Sequence, residues 1–312
     1  MGKPANAEAG QILLIVLVTS AILFTLVMSI ATRSVTEVST TTTEEESLRA
    51  FSAAEAGIEE VLVSSYNLGD VVTNTVGEEL ETGTAPAGYE ATIDTFGETQ
   101  QYNYPYEVFS GDVVPIWFVG HDINGNLTCG GGVNCFRGNH IDLCWGKDGT
   151  GSNGNDTPAV FVSIIYIPNP RQPTSRTNEV QIARAGYDPY ATRASRDHFE
   201  RLKSNERNSS CDIDGYPYQF DRRIQFNQLG IPSTSFNNAG GLQVMLVKIL
   251  YNDTLSHTMG VMTSNPLPDQ GIRIDSKGES GDSVRNVEVF VPYAVMPAIF
   301  DAALFSPLEI SK

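Results

Sequence analysis

The side chains of this sequence that are best suited to specific chemistry are its four cysteines. Cys129, Cys135, Cys144 and Cys211 include no Cys-x-x-Cys pair, and the four histidines are scattered along the chain. Because zinc sites usually combine closely spaced cysteine pairs with nearby histidines, we expect disulfides and no metal site. Three pairings are open, and Cys129 with Cys135 would close a compact glycine-rich loop.

Two short runs of oxygen-bearing side chains resemble the beginning of a calcium-binding loop. "DINGN" starts at Asp122 and has Asn124 two residues on, and "DIDG" starts at Asp212 and has Asp214 in the same place. Alternating oxygen ligands before a glycine suit a hard cation, but neither run has the glutamate that closes such a loop at its twelfth position. We therefore expect Asn and Asp turns, with calcium as the one alternative cofactor.

Common catalytic motifs are missing from the sequence. There is no His-Glu-x-x-His, Walker or nucleophile-elbow motif. "GTGSNG" at 149–154 matches Gly-x-Gly-x-x-Gly, but the residues after it predict a strand, whereas a dinucleotide site requires a helix there. We therefore expect a protein that is not an enzyme.

Acidic residues dominate the charge of the chain. There are 37 Asp and Glu against 20 Lys and Arg, which gives a formal net charge of -17. Such a balance repels phosphate groups, so that general nucleic-acid binding is not expected.

An uncharged apolar run near the amino terminus is the element most informative about location. Residues 12–31 consist of Ile, Leu, Val, Ala, Met and Phe with four Ser or Thr interruptions. As a helix this run would be about 30 Å long, the thickness of the hydrocarbon core of a bilayer. A cleavable secretory signal has a shorter apolar core, of roughly 7–15 residues. We expect a single span of the cytoplasmic membrane, with the C-terminal region outside the cytoplasm.

The helix is predicted to continue beyond the membrane, over 11–66 in all. Leu48, Phe51, Ile58 and Leu62 have the three-and-four spacing of one apolar stripe, and Glu55 lies on the same stripe. Glu55 would either reach water or meet a cation of a partner. The four threonines at 40–43 predict a weak point, since β-branched residues lose side-chain freedom in a helix.

The rest of the chain, 67–312, predicts an α+β protein with a mainly antiparallel β-rich domain. Alternating runs predict strands at 89–96, 113–122, 158–168, 178–188, 242–252 and 271–291. The last should be a hairpin whose connection, "SKGESGD", uses Gly278 and Gly281 for positive backbone angles. A charged stretch at 189–210 predicts a solvated loop with a short helix, which could divide the region into two subdomains.

The amino-terminal residues resemble a known family. The chain begins with a short polar leader that ends at Gly10, continues with an apolar helix and has the segment "AFSAAEAGIE" at 50–59. These features resemble the class III signal and helix of type IV pilins, in particular minor pilins of the PilX type. The hairpin region at 271–291 is also similar to the end of such proteins. The resemblance covers the first 65 residues and this hairpin.

The resemblance implies a leader peptide, residues 1–10, that a prepilin peptidase removes between Gly10 and Gln11. It also implies assembly into a pilus or cell-surface filament with other pilins and the inner-membrane assembly platform. Typical pilins have glutamate at the fifth mature position, where this chain has Ile15. Because that glutamate neutralises the terminal amine of a neighbour within lipid, its absence favours a minor or tip subunit.

Two other classes compete with this interpretation. One is a stand-alone membrane-anchored adhesin or carbohydrate-binding protein, which would need no leader peptidase. The other is a signal-anchored hydrolase, which would need a convergent catalytic set in a cleft.

Replacing the last leader residue tests the cleavage site. In cells that contain the peptidase, we expect Gly10→Val to retain residues 1–10, because the wider side chain blocks the position at which the enzyme requires glycine. Mass spectrometry of the intact chain measures this, with Ala7→Val as a control that is processed normally. An unchanged mature mass in Gly10→Val would refute the assigned site.

Overall fold

The computed structural model describes residues 8–64, 68–76, 86–122, 125–154, 156–171, 180–209, 211–251 and 253–295. The protein is α+β, with one long amino-terminal helix and mainly antiparallel strands, as its sequence predicts. Each of the six predicted strand regions contains a strand. The helices are α1 Glu8–Val63, α2 Ala191–Asp197, α3 Ser204–Arg207 and α4 Ser233–Phe236, with a 3-10 turn at Phe226–Leu229.

The strands form three sheets of four or five strands and one short pair. Their bounds are β1 Val71–Val76, β2 Ala87–Phe96, β3 Gln101–Asn103, β4 Val113–Trp117, β5 Gly120–His121, β6 Leu127–Thr128, β7 His140–Lys147, β8 Ala159–Tyr166, β9 Gln181–Asp188, β10 Glu200–Arg201, β11 Asp212–Ile213, β12 Tyr216–Gln225, β13 Leu242–Leu250, β14 Met259–Met262, β15 Gly271–Ser280 and β16 Ser283–Pro292.

The chain divides into two compact units. The first consists of α1 with residues 71–92 and 275–288, and the second consists of 68–70, 93–274 and the described residues from 289 onward. The charged stretch at 189–210 therefore lies inside the second unit. It contains α2, β10 and α3, and its Arg193 is buried in an ion pair with Asp188, at 2.7 Å between Nε and Oδ2.

Helix α1 is continuous over 56 residues, including the threonine tract that predicts a weak point. Within the tract each hydroxyl donates to the carbonyl oxygen four residues earlier, as from Thr40 to Thr36 at 2.9 Å and from Thr43 to Ser39 at 3.0 Å. These bonds give the hydroxyls partners inside the helix.

In the first unit, α1 lies on residues 71–92 and 275–288 of the four-stranded sheet, which has the strand order β1-β2-β15-β16. The face of α1 towards the sheet carries small side chains, among them the buried Ala50, Ala53 and Ala54. Gly57 continues this face, and a Cβ atom there would lie 2.5 Å from the hydroxyl oxygen of Ser276 in β15. Small residues on both elements allow the two backbones to approach closely.

The predicted hairpin at 271–291 is present, but its turn is shorter than the sequence suggests. Strand β15 continues to Ser280, so Gly278 is a strand residue and not part of the connection. Of the two glycines, only Gly281 has a positive φ, of 55°. Gly278 is needed for space, because a Cβ atom there would lie 1.9 Å from the carbonyl oxygen of Ala50 in α1.

Adding one methyl group at this contact should weaken the first unit. We expect Gly278→Ala to lower the free energy of unfolding by about 1–3 kcal/mol, the usual cost of overpacking. Limited proteolysis of the full-length chain, read by mass spectrometry at residues 48–63, measures the loss. Gly88→Ala is the matched control, because its Cβ atom would lie 3.4 Å from the carbonyl oxygen of Asn74, an ordinary contact. Equal protease resistance of both variants would contradict the close approach.

The second unit is a β-sandwich. One sheet has the order β10-β9-β8-β13-β4 and the other β11-β12-β7-β14-β3. Side chains of both sheets enter one buried cluster, with Ile116 and Val162 from the first and Trp145 and Phe220 from the second. The two sheets therefore pack face to face around a common core.

Two disulfides lie in the second unit. Cys129 pairs with Cys135 across 6 residues, and Cys144 pairs with Cys211 across 67 residues. Cys144 is fully buried in β7, and its bond joins that strand to the chain before β11. This is one of the three pairings that the sequence leaves open.

The two bonds should differ in their effect on stability. In the loop-entropy description, removing the longer link should lower the free energy of unfolding by about 4 kcal/mol and removing the shorter by about 2 kcal/mol. The variants are Cys144→Ala with Cys211→Ala, and Cys129→Ala with Cys135→Ala. Urea unfolding followed by tryptophan fluorescence measures both. A larger loss from the short loop would contradict this order.

Candidate functional site: the exposed face of the N-terminal helix

The first part of α1 has no partner surface in the described chain. Every side chain from Leu13 to residue 45 is exposed. The helix contains an 18-residue window of mean hydropathy 2.7, with none of that window buried. By length and composition it is the one described helix that is apolar enough to cross a membrane.

Beyond residue 45, α1 has two different faces. The small residues of its inner face pack on the sheet, and Ile58 joins them, with only 6% of its surface exposed. Leu48, Phe51 and Leu62 are 69%, 43% and 53% exposed, and Glu55 is exposed among them. Four of the five residues predicted for assembly therefore share one outer stripe, and the fifth belongs to the core.

Polar contacts with the hairpin fix the rotation of α1 about its own axis. The guanidinium of Arg285 in β16 donates to the hydroxyl oxygen of Ser47, at 2.9 Å from Nε and 2.6 Å from the terminal nitrogen. The Asp282 backbone N–H donates to the Glu46 carboxylate at 3.4 Å. Together with the contact at Gly278, these bonds keep the stripe of Leu48, Phe51, Glu55 and Leu62 (the outer stripe) facing outward.

The predicted cleavage position lies at the start of this helix. Gly10 and Gln11 are in the first turns of α1, which begins at Glu8. Ile15, at the fifth position after the predicted cut, is 58% exposed.

The calcium-like runs form turns. The Asp122 carboxylate accepts the backbone N–H of Asn126 at 2.9 Å, and the Asp212 carboxylate accepts that of Gly215 at 2.8 Å. Asp214 has a positive φ of 52°, as turn residues of this type often do. Asn124 lies outside the described residues. No group of three or more His, Cys, Asp or Glu that could hold a metal is found in the part of the chain that the structure describes.

Sequence reasoning missed the inner face of α1. Its signal is present in the chain, as Ala50, Ala54 and Gly57 at helical spacing, but alanine and glycine contribute little to a hydrophobic pattern. Gly278, which lies against Ala50 and Ala54, is more than 200 residues away in the sequence, and the sequence assigns it to a turn.

Searches of protein-family models, curated proteins and solved structures find no match to this chain.

Proposed function

We propose that this protein is a membrane-anchored assembly subunit of a type IV pilus or a related surface filament, acting as a minor or tip pilin. The observation that carries the proposal is the outer stripe, an exposed and mainly apolar surface that lies beyond the length a membrane can cover. In this proposal the helix first lies in lipid and then packs among the helices of other pilins.

The exposed surface of α1 requires a nonpolar environment. Burying one Leu, Ile, Val, Phe or Met side chain contributes about 1.5–3 kcal/mol relative to leaving it in water. Residues 12–31 match the apolar thickness of a bilayer, which would cover them in the resting state. When such a helix leaves the membrane, only a bundle of similar helices offers comparable cover.

The position of the outer stripe favours assembly over simple anchoring. Residues 33–45, which are exposed throughout, extend roughly 20 Å past the membrane span, at ~1.5 Å per residue. A stand-alone adhesin needs only this tether, and an exposed apolar stripe on the folded unit beyond it would promote nonspecific association. In a filament, the same stripe would contact neighbouring subunits.

The proposed location follows from the same features. Disulfides persist in oxidising compartments, so the two disulfides suggest that the β-sandwich lies outside the cytoplasm. Prepilin peptidase, other pilins and the inner-membrane assembly platform are the proposed partners. Ile15, at the fifth mature position, is uncharged and could not neutralise the terminal amine of a neighbouring subunit. This supports a minor or tip position, where no such neutralisation is needed.

Glu55 supplies a polar contact within the proposed interface. It is exposed between two apolar residues of the outer stripe, Phe51 and Leu62. An acid in this position would favour a partner with a cation opposite it, which gives the contact a defined register.

Charging the outer stripe tests the proposal. We expect Phe51→Asp to reduce the amount of pilin that is captured with this protein by mild crosslinking in cells at least tenfold, because the carboxylate would be buried between helices. Ser52→Asp is the matched control, since Ser52 is also exposed and lies one residue away on a different side of the helix. Captured proteins are identified by mass spectrometry.

A folding control separates assembly from stability. Phe51 faces outward, so both variants should keep wild-type protease resistance in residues 71–92 and 275–288. Normal capture of pilins by Phe51→Asp would contradict the proposal. The proposal would also be contradicted if the wild-type chain captured no pilin and no component of the assembly platform.

A further inference from the structure

The second unit contains a cavity of about 540 Å³ that the proposed function does not use. Its walls come from Phe109, from the β7–β8 loop and from residues 254–257. The volume falls within the range of small-molecule sites, roughly 300–1,000 Å³. The loop includes the glycines of "GTGSNG", and the strand that the sequence predicts after them is β8.

One side of the cavity is apolar and held in place. Phe109 and Leu255 are 54% and 52% exposed. The residue before Phe109, Val108, exchanges two backbone hydrogen bonds with His257, at 2.8 and 2.9 Å, and the Phe109 N–H donates to the Asp112 carboxylate at 2.8 Å. The backbone that carries the aromatic ring is therefore held in place. Ligand binding would cost little backbone conformational entropy at this residue.

Hydroxyl and carboxylate groups form the other side, and hydrogen bonds link the segments that carry them. The Thr254 hydroxyl donates to the Asp156 carboxylate at 2.7 Å. Lys147 pairs with the Glu107 carboxylate at 2.7 Å, and this carboxylate also accepts the Ser256 hydroxyl. These hydrogen bonds lower the pKa of Glu107. Since Lys147 is already paired, the charges remaining at the cavity, Asp148 and Asp156, are negative.

The floor of the cavity is polar and neutral. His257 is buried, and burial lowers its pKa, which favours the uncharged imidazole. Its Nδ1 accepts the Lys147 N–H at 3.4 Å. The buried Thr157 hydroxyl donates to the Gly151 carbonyl oxygen at 2.6 Å and accepts the Gly154 N–H at 3.0 Å. These two bonds tie Gly151 and Gly154 of the loop to Thr157.

We propose that this cavity binds a neutral saccharide. The C–H face of a pyranose ring packs on an exposed aromatic side chain, and its hydroxyl groups donate to carboxylates and exchange hydrogen bonds with Thr and Ser. Asp148 and Asp156, for which no ion pair is found among the described residues, repel phosphorylated or carboxylated ligands. The site is built entirely from the second unit, and it does not depend on the helix or on filament assembly.

The first measurement uses the full-length oxidised chain in a detergent without a sugar headgroup. Methyl glycosides of glucose, galactose, mannose and N-acetylglucosamine are titrated in parallel with sialic acid and glucose 6-phosphate. We expect at least one neutral glycoside to bind and both anions to fail. Because the ligand is uncharged, its affinity should be the same in low and high salt.

Two substitutions separate the aromatic wall from surface effects. Phe109→Ala should weaken binding of that glycoside roughly tenfold, and Phe109→Tyr should preserve it. Tyr216→Ala is the matched control: Tyr216 is an exposed aromatic residue, at 61%, that does not line the cavity. Urea unfolding confirms that all three variants are folded.

Four results would overturn the inference: no neutral glycoside binds, only the anionic sugars bind, Phe109→Ala binds like the wild type, or oligolysine competes for the cavity in a salt-sensitive manner. The last result would identify a cationic peptide as the ligand. Pilin capture by Phe109→Ala should equal that of the wild type, so failure of this inference is distinguishable from failure of the proposed assembly role.

Discussion

The organisation of the first unit depends on one close contact, between the backbone of α1 at Ala50 and β15 at Gly278. A methyl group at Gly278 would come within 1.9 Å of the Ala50 carbonyl oxygen, so only small residues fit at this point between helix and sheet. Leu48, Phe51 and Leu62 of the same helix are exposed on its other side, whereas Ile58 is buried further along the inner face. The interior of the unit therefore determines which surface it offers to partners.

The second unit obtains its stability in a different way. Its two sheets enclose a core with large aromatic side chains such as Trp145 and Phe226, and two disulfides link segments of its chain. Such a framework can hold loops in fixed positions even when the loops add little to the stability of the fold. Binding sites are often formed by loops on a rigid framework of this kind. The cavity beside Phe109 has this setting, because its walls follow β7 and precede β14 in the sandwich.

Local patterns were sufficient to predict several elements from the sequence. The uncharged run at 12–31 predicts a helix of membrane length, and alternation predicts strands such as 242–252, because each pattern depends on neighbours within one element. The hairpin at 271–291 was predicted for the same reason, but its connection was predicted to be too long, because β15 continues to Ser280. Glycine can serve either to allow a positive φ, as Gly281 does, or to allow close packing, as Gly278 does. The sequence alone does not distinguish these two roles.

By itself, therefore, the sequence determined the long apolar helix, the α+β class, the acidic surface and the presence of cysteines suited to disulfides. Tertiary structure decided which stripe of α1 is outward, which cysteines pair, and that Phe109, Asp156 and Leu255 line the same cavity. The physical reason is separation along the chain. Helical and strand periods arise from neighbouring residues, whereas these three outcomes depend on contacts between residues that only folding brings together.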